Sequence, residues 1–289
     1  MTLATVFVSF QFRKLSYSGN IRSVDKGADN PYGKEHCRMS VRKDYGLYRV
    51  IKAVVRLCYP RMEVVGIENL PDTPAIIVGN HSKMNGPIAC ELYFPGKRYT
   101  WCAGQMMHLN EVPDYAFQDF WANKPRCIRW FYRFLSYLIA PLSVCVFNNA
   151  DTIGVYRDGR IMSTFRDTVA RLQEGASVVI FPEHDEDYNH ILCNFQDRFI
   201  DIAKIYFKKT GKELSFVPLY IAPRLRKMYI GKPVRFCAVN SVQDERRRIC
   251  DYLMQEITEI ACGLPRHIVV PYRNISKKDY RSNIPDEVP

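Results

Sequence analysis

Two short segments end an apolar run in side chains able to move protons. Ala75-Ile76-Ile77-Val78-Gly79 is followed by Asn80-His81-Ser82-Lys83, and Ser177-Val178-Val179-Ile180-Phe181 by Pro182-Glu183-His184-Asp185. Each run has the length and composition of a buried strand, so His81 and Glu183 hold equivalent places beyond a strand's carboxyl end. Ligands of open α/β sheets bind outside that edge. A neutral imidazole is the usual general base near neutral pH. A histidine and a carboxylate delivered to one edge therefore predict proton-transfer chemistry. Taken alone, His81 reads first as a structural histidine bonded at a strand end.

Other residues extend the pattern. Arg157 closes the short apolar segment Ile153-Gly154-Val155-Tyr156 at a charged turn, and Pro218 interrupts the apolar run Val217-Pro218-Leu219-Tyr220. A strand proline belongs on an edge or at a bulge. The run His184-Asp185-Glu186-Asp187-Tyr188-Asn189-His190 offers oxygen and imidazole ligands, but its spacing matches no standard zinc site. It reads as an acidic solvated loop, or as a source of a carboxylate turned toward His81.

The elements that must position these groups follow from periodicity and punctuation. Tyr45–Cys58 predicts a helix, residues 62–67 a strand, 88–94 a helix opened by Pro87, and 98–103 a strand. Residues 160–174 place Ile161, Phe165, Val169 and Leu172 on one helical face. A helix is expected over 195–208, strands over 215–221 and 228–236, and an amphipathic helix over 242–262 after Ser241. The basic cluster Arg246-Arg247-Arg248 on that last helix is read as solvated or touching anionic lipid. Strands alternating with helices predict an α/β fold, a single domain with a mainly parallel central sheet flanked by helices. That domain is expected over residues 46–270, between a basic extension at 1–45 and a loose polar tail at 271–289.

The 289 residues carry 41 Lys+Arg against 30 Asp+Glu, a formal charge of +11 that suits an anionic partner. No RNA-binding signature or finger spacing points to nucleic acid, which leaves phosphorylated metabolites or lipid headgroups. Ten scattered cysteines without a C-x-x-C pair, and no secretory signal, predict a reduced cytosolic protein. Residues 130–147 are apolar and aromatic but interrupted by Arg133 and Pro141. They read either as a buried core helix or as a surface dipping into the lipid interface.

In order and spacing these motifs resemble the glycerol-phosphate and lysophosphatidic-acid acyltransferases. Asn80-His81 resembles the start of an Asn-His-x-x-x-x-Asp block. Ile153 to Arg157 resembles a strand-like block ending in arginine. Phe181-Pro182-Glu183 resembles part of Phe-Pro-Glu-Gly-Thr-Arg, and Val217-Pro218 an apolar Val-Pro pair. The resemblance runs over roughly residues 50–240, and includes the lead-ins Val64 to Pro71 and Leu172 to Gly175.

The resemblance implies that His81 is the base that activates an acceptor hydroxyl. That hydroxyl would attack the thioester of acyl-CoA or acyl carrier protein, with no cofactor and no metal. The acceptor would be glycerol phosphate, a lysophospholipid or a related alcohol. Asn80, Lys83, Arg157, Glu183, His184 and Pro218 would line its site. The expected location is cytoplasmic, peripheral on the inner face of a membrane with an anionic surface.

The chain departs from the pattern at the orienting aspartate, which falls on Gly86, and at the glycine and arginine of the third block, which fall on His184 and Glu186. Asp185 is expected to take the orienting role, with Asp187 and Glu91 as other candidates. Two other readings stay open: a catalytically impaired lipid- or acyl-binding protein, and a metal-dependent hydrolase built on His81 and His184. The enzyme reading requires His81 and Glu183 to share a cleft that an alcohol can enter.

Overall fold

The computed structural model describes residues 45–122, 124–156, 158–273 and 275–285. The N-terminal extension as far as residue 44, and Arg157, lie outside the described residues. In chain order the elements are α1 (Tyr45–Cys58), β1 (Glu63–Val65), β2 (Ala75–Gly79), α2 (Asn85–Tyr93), β3 (Arg98–Ala103), α3 (Val112–Ala116), α4 (Arg129–Asn149) and β4 (Thr152–Val155). Then come α5 (Ile161–Gln173), β5 (Ser177–Ile180), β6 (Glu183–Asp187), β7 (Cys193–Phe195), α6 (Asp201–Thr210), β8 (Ser215–Ala222), β9 (Lys227–Ile230), β10 (Val234–Arg235) and α7 (Val242–Cys262).

The main sheet runs β1-β9-β8-β2-β5-β3-β4, with β10 on β8. Strands β8, β2, β5, β3 and β4 are parallel neighbours. Strands β9 and β10 pair antiparallel with β8. The expected α/β fold with a mainly parallel sheet is thus what the chain forms. Parallel sheets are covered on both faces, which is why β2 and β5 are continuous apolar runs. Ile76 and Val78 pack with Val169, Ile202, Leu253 and Ile257 of α5, α6 and α7. Ala75 and Ile77 pack on the other face with Ala89 and Cys90 of α2. Each fully buried Ile or Val contributes about 1.5–3 kcal/mol.

Pro218 lies in an interior strand, where a missing N–H is tolerated for a local reason. Its carbonyl accepts from Gly231 N at 2.9 Å, so its nitrogen also faces that side. There the partner breaks between β9 and β10, and no ladder donor is needed. The Pro218 ring fills the gap so closely that a Cβ on Gly231 would lie 2.9 Å from Pro218 Cγ and 2.8 Å from Ile260 Cδ1.

Two arginines of the α7 cluster make ion pairs within the protein, while Arg247 and Arg248 remain exposed. Arg246 pairs with Asp201 of α6 at 2.5 Å, and Arg248 with buried Glu245 at 2.6 Å. Of the two readings of the aromatic stretch, helix α4 speaks against the core helix. Its buried residues are Ser136, Ala140, Ser143 and Asn149, whereas Trp130, Phe134, Tyr137 and Leu138 are exposed. By length and composition the stretch Arg126–Asn149 is long and apolar enough to cross a membrane, and 17% of it is buried. It is therefore not a core helix: small residues pack inward and large apolar ones face out. Helix α1 packs beside α4 and exposes Val50, Val54 and Leu57.

The C-terminal stretch is not a loose tail over its described part. Asn283 is fully buried and donates to the carbonyl of Ala261, in the last turn of α7, at 2.8 Å and to that of Leu264, just beyond it, at 3.1 Å. Val269 N donates to Arg281 O at 2.9 Å, Ile268 bridges Ser282, and Tyr272 is buried.

The Gly231 packing gives a direct check. Gly231→Ala is expected to cost about 1–3 kcal/mol through overpacking, read as a lower urea midpoint at unchanged slope. A midpoint equal to that of the parent chain would show that the Pro218 gap has room to spare.

Candidate active site

The register of β2 on β5 sets Val78 beside Ile180. Three residues further, beyond both strand ends, His81 and Glu183 arrive at the same level. Glu183 Oε1 accepts from the His81 backbone N at 2.6 Å and Oε2 from the Cys193 backbone N at 3.0 Å. The carboxyl group thus joins the end of β2 to the β6–β7 hairpin through charge-assisted bonds. Both its oxygens serve the scaffold, and the contact with His81 is through its backbone. Burial raises the Glu183 carboxyl to about 7, against the pull of these two N–H groups.

The imidazole is held by the turn that follows it. Ser82 and Lys83 take left-handed φ angles of 47° and 56°, a conformation that clusters at functional sites. The turn is closed by Gly86 N to His81 O at 3.1 Å and by Asn85 Nδ2 to Ser82 O at 2.8 Å. It brings the Lys83 carbonyl onto His81 Nδ1. A carbonyl only accepts, so Nδ1 carries the proton and Nε2 is the basic nitrogen. Burial pushes the imidazole down to about 4, so it is neutral at physiological pH.

This turn leaves no room for a side chain at residue 86. A Cβ on Gly86 would lie 2.7 Å from His81 O and 2.8 Å from Phe181 Cε1. No side chain fits there. Nor do the other carboxylates stand in. Asp185, the expected orienter, lies on β6 and does not hold Nδ1, whose partner is the backbone. Asp187 pairs with Arg273. Glu91 is bound by Tyr48, at 2.6 Å, and by Lys52, at 2.5 Å.

The other expected site residues divide. Asn80 is buried and spends its side-chain amide on β8, accepting from Ile221 N at 2.6 Å and donating to Ile221 O at 3.1 Å. Lys83 Nζ donates to Tyr280 OH at 2.6 Å. His184 is half-buried on β6, and Pro218 is packed into the sheet. Residues 183–187 form a strand of the β6–β7 hairpin rather than an acidic loop. Among the described residues no group of three or more His, Cys, Asp or Glu is placed to hold a metal ion.

The expected open cleft is absent. His81 is 5% exposed and Glu183 4%. Phe181 lies edge-on to the imidazole at 5.3 Å and Tyr272 at 5.8 Å, measured between ring centres. Tyr272 belongs to the C-terminal stretch, where sequence periodicity gives no sign of a site. The Cys193 N–H and the Lys83 carbonyl are backbone groups, which residue types do not announce. Ser82 also emerges only here: its hydroxyl is buried without a hydrogen-bond partner beside His81.

Two measurements test this geometry. Gly86→Asp is expected to destabilise the fold by at least about 1–3 kcal/mol without raising any activity, because its first side-chain atom meets backbone. The second is pH dependence. Folding lowers His81 from 6.5 to about 4, so its contribution is lost as pH falls through that window. Folding raises Glu183 from 4.5 to about 7, so its contribution is lost as pH rises through that one. Between pH 4.5 and 6.5 the two slopes oppose. His81→Ala keeps the backbone N–H and should unmask a stability that falls with rising pH, by up to about 1.4 kcal/mol per unit. Parallel stability curves for variant and parent would refute the buried pair.

No known protein family matches the sequence, and no curated protein matches it. Four chains of solved structure do. Among them is the 1-acyl-sn-glycerophosphate (LPA) acyltransferase PlsC from Thermotoga maritima, at 18% identity and a TM-score of 0.42, over 76% of this chain and 81% of that one.

Proposed function

We propose that this protein transfers a fatty acyl group from acyl-CoA or acyl carrier protein to a hydroxyl of glycerol phosphate, a lysophospholipid or a related acceptor. The observation that carries this reading is the imidazole at the carboxyl edge of the sheet, with Nδ1 fixed by the Lys83 carbonyl. Nε2 takes the acceptor's proton as its oxygen attacks the thioester carbon, and returns that proton to the departing thiolate. This is base-and-orienter logic with the substrate alcohol as nucleophile. A carbonyl fixes the correct tautomer but stabilises imidazolium less than a carboxylate does. Turnover below that of a carboxylate-oriented site is therefore expected.

The same reading places the protein on the cytoplasmic face of an anionic membrane, held peripherally. Helices α1 and α4 expose a joint apolar surface, with Leu57 87% and Trp130 71% accessible, and Arg49, Arg56 and Arg129 lie on the same helices. Apolar area plus basic charge is the recipe for interfacial binding. The cleft that this reading requires is closed here, so transfer demands that the site open, and the burial of His81 favours a second reading, an acyl- or lipid-binding protein without turnover.

Transfer from labelled acyl-CoA decides between them. The parent chain is expected to transfer, and His81→Ala to fall by about 10²–10⁴. Absence of transfer in both chains, with retained acyl-CoA binding, would leave the binding protein. Separately, replacing Trp130, Phe134 and Leu138 together by Ser should release the protein from sedimenting phosphatidylglycerol vesicles. Unchanged co-sedimentation would remove α4 from the docking surface.

A further inference from the structure

The Lys83 carbonyl holds Nδ1 only while the turn after His81 keeps its shape, and that shape includes two left-handed residues. Such conformations persist where their surroundings over-determine them. Among the described residues the Ser82 hydroxyl makes no hydrogen bond, so it adds nothing to the closure. Asn85 supplies it. That residue donates twice to the Ser82 carbonyl, from its backbone N at 3.1 Å and from Nδ2 at 2.8 Å. A carbonyl only accepts, so the amide nitrogen must face it and Oδ1 must face away. On that far side Tyr59 OH lies 3.3 Å from Oδ1 and 3.3 Å from the Asn85 carbonyl.

Tyr59 directly follows α1, and its N donates to Val55 O at 2.7 Å. Its carbonyl accepts from Tyr93 OH at 3.4 Å, and the two rings stack with centres 6.4 Å apart. Tyr93 is the last residue of α2, and Asn85 is the first. Earlier on α1, Tyr48 and Lys52 hold Glu91, which is also on α2. The seat of α1 on α2 and the shape of the catalytic turn therefore share two residues, Tyr59 and Asn85.

We propose that Asn85 is a positioning residue for the His81 base, with Tyr59 as its outer support, so that the tautomer of the imidazole is set from the junction of α1 and α2. Without the amide, the Ser82–Lys83 peptide is free to turn and the Lys83 carbonyl swings off Nδ1. The proton then has access to Nε2, and the imidazole presents a donor where the acceptor hydroxyl needs a lone pair. A wrong tautomer of this kind is what disables a triad whose orienting group is changed. Helix α1 also exposes the apolar face assigned above to the membrane, so docking and base orientation run through one helix. This deepens the acyl-transfer reading and rests on it for the nature of the reaction, but the tautomer is readable without turnover.

The experiment uses the full chain labelled with nitrogen-15 in its histidines, near pH 7.5, with the imidazole nitrogen shifts read by NMR. The signals missing from His81→Ala identify His81. Asn85→Ala removes the amide. Asn85→Asp keeps its size but sets an oxygen against the Ser82 carbonyl, and an acid in the first turn of α2 suits the helix dipole. In the parent chain His81 is expected as the Nδ1–H form, and in both variants as a mixture with the Nε2–H form. Tyr59→Phe, which keeps the ring on Tyr93, should shift His81 the same way by less. His267, whose Nδ1 faces the Pro265 carbonyl at 2.8 Å, should stay unchanged in every variant. A parental tautomer at His81 in both Asn85 variants would overturn the proposal. So would a parallel change at His267, since the whole fold would then be loosening. An unmoved His81 in Tyr59→Phe would remove Tyr59 from it. Acyl transfer on the same samples separates the two ideas. A kcat lower by about 10–100-fold in the Asn85 variants, with KM little changed, supports both. The shift of tautomer in a protein that never transfers acyl groups keeps the positioning role and removes the acyltransferase.

Discussion

One buried carboxyl group, that of Glu183, ties the whole edge together. Its two oxygens take the backbone N–H of His81 at the end of β2 and that of Cys193 at the start of β7. Loss of the carboxyl would leave two buried donors unpaired, at about 1–3 kcal/mol each. An amide is no substitute, because its NH₂ would face one of the two donors. Everything chemical at this edge therefore depends on an acid whose own function is scaffolding. Lys83, two residues beyond His81, is in turn tied to the C-terminal stretch through Tyr280.

The turn after His81 shows how a backbone can replace a side chain. A glycine at residue 86 lets its N–H approach His81 O, and that closeness leaves no room for a Cβ. The tight turn then needs left-handed residues at Ser82 and Lys83, and they aim the Lys83 carbonyl at Nδ1. The absence of a side chain at residue 86 and the carbonyl partner of Nδ1 are thus one structural arrangement rather than two. An amide in place of an orienting aspartate fails chiefly because it selects the wrong tautomer. A carbonyl cannot make that error, since it offers no hydrogen.

Much of the fold was legible in the sequence because burial writes itself into composition. Runs of Val and Ile marked β2, β5 and β8, and the 3.6-residue spacing of Ile249, Leu253 and Ile257 marked α7. The meeting of His81 and Glu183 was legible as well, since two parallel neighbours of similar length end at the same level. What stayed hidden was carried by atoms every residue has. The partner of Nδ1 is a carbonyl, and the second partner of Glu183 is an N–H. The C-terminal stretch was misread for a related reason. Its ties are isolated side chains, Asn283, Tyr272 and Tyr280, on backbone without periodicity, and its polar composition resembles that of solvated chain.

The rings over His81 also bear on the strength of the base. With Tyr272 and Phe181 packed on it, the imidazole is held down to about 4 by burial, against the pull of its backbone hydrogen bonds. Proton abstraction from an alcohol by so weak a base is unfavourable, and general-base catalysis works best when the pKa lies near the working pH. Tyr272 and Phe181 therefore bear on the basicity of His81 as well as on its exposure, and a base working near neutral pH needs better solvation than this arrangement gives it.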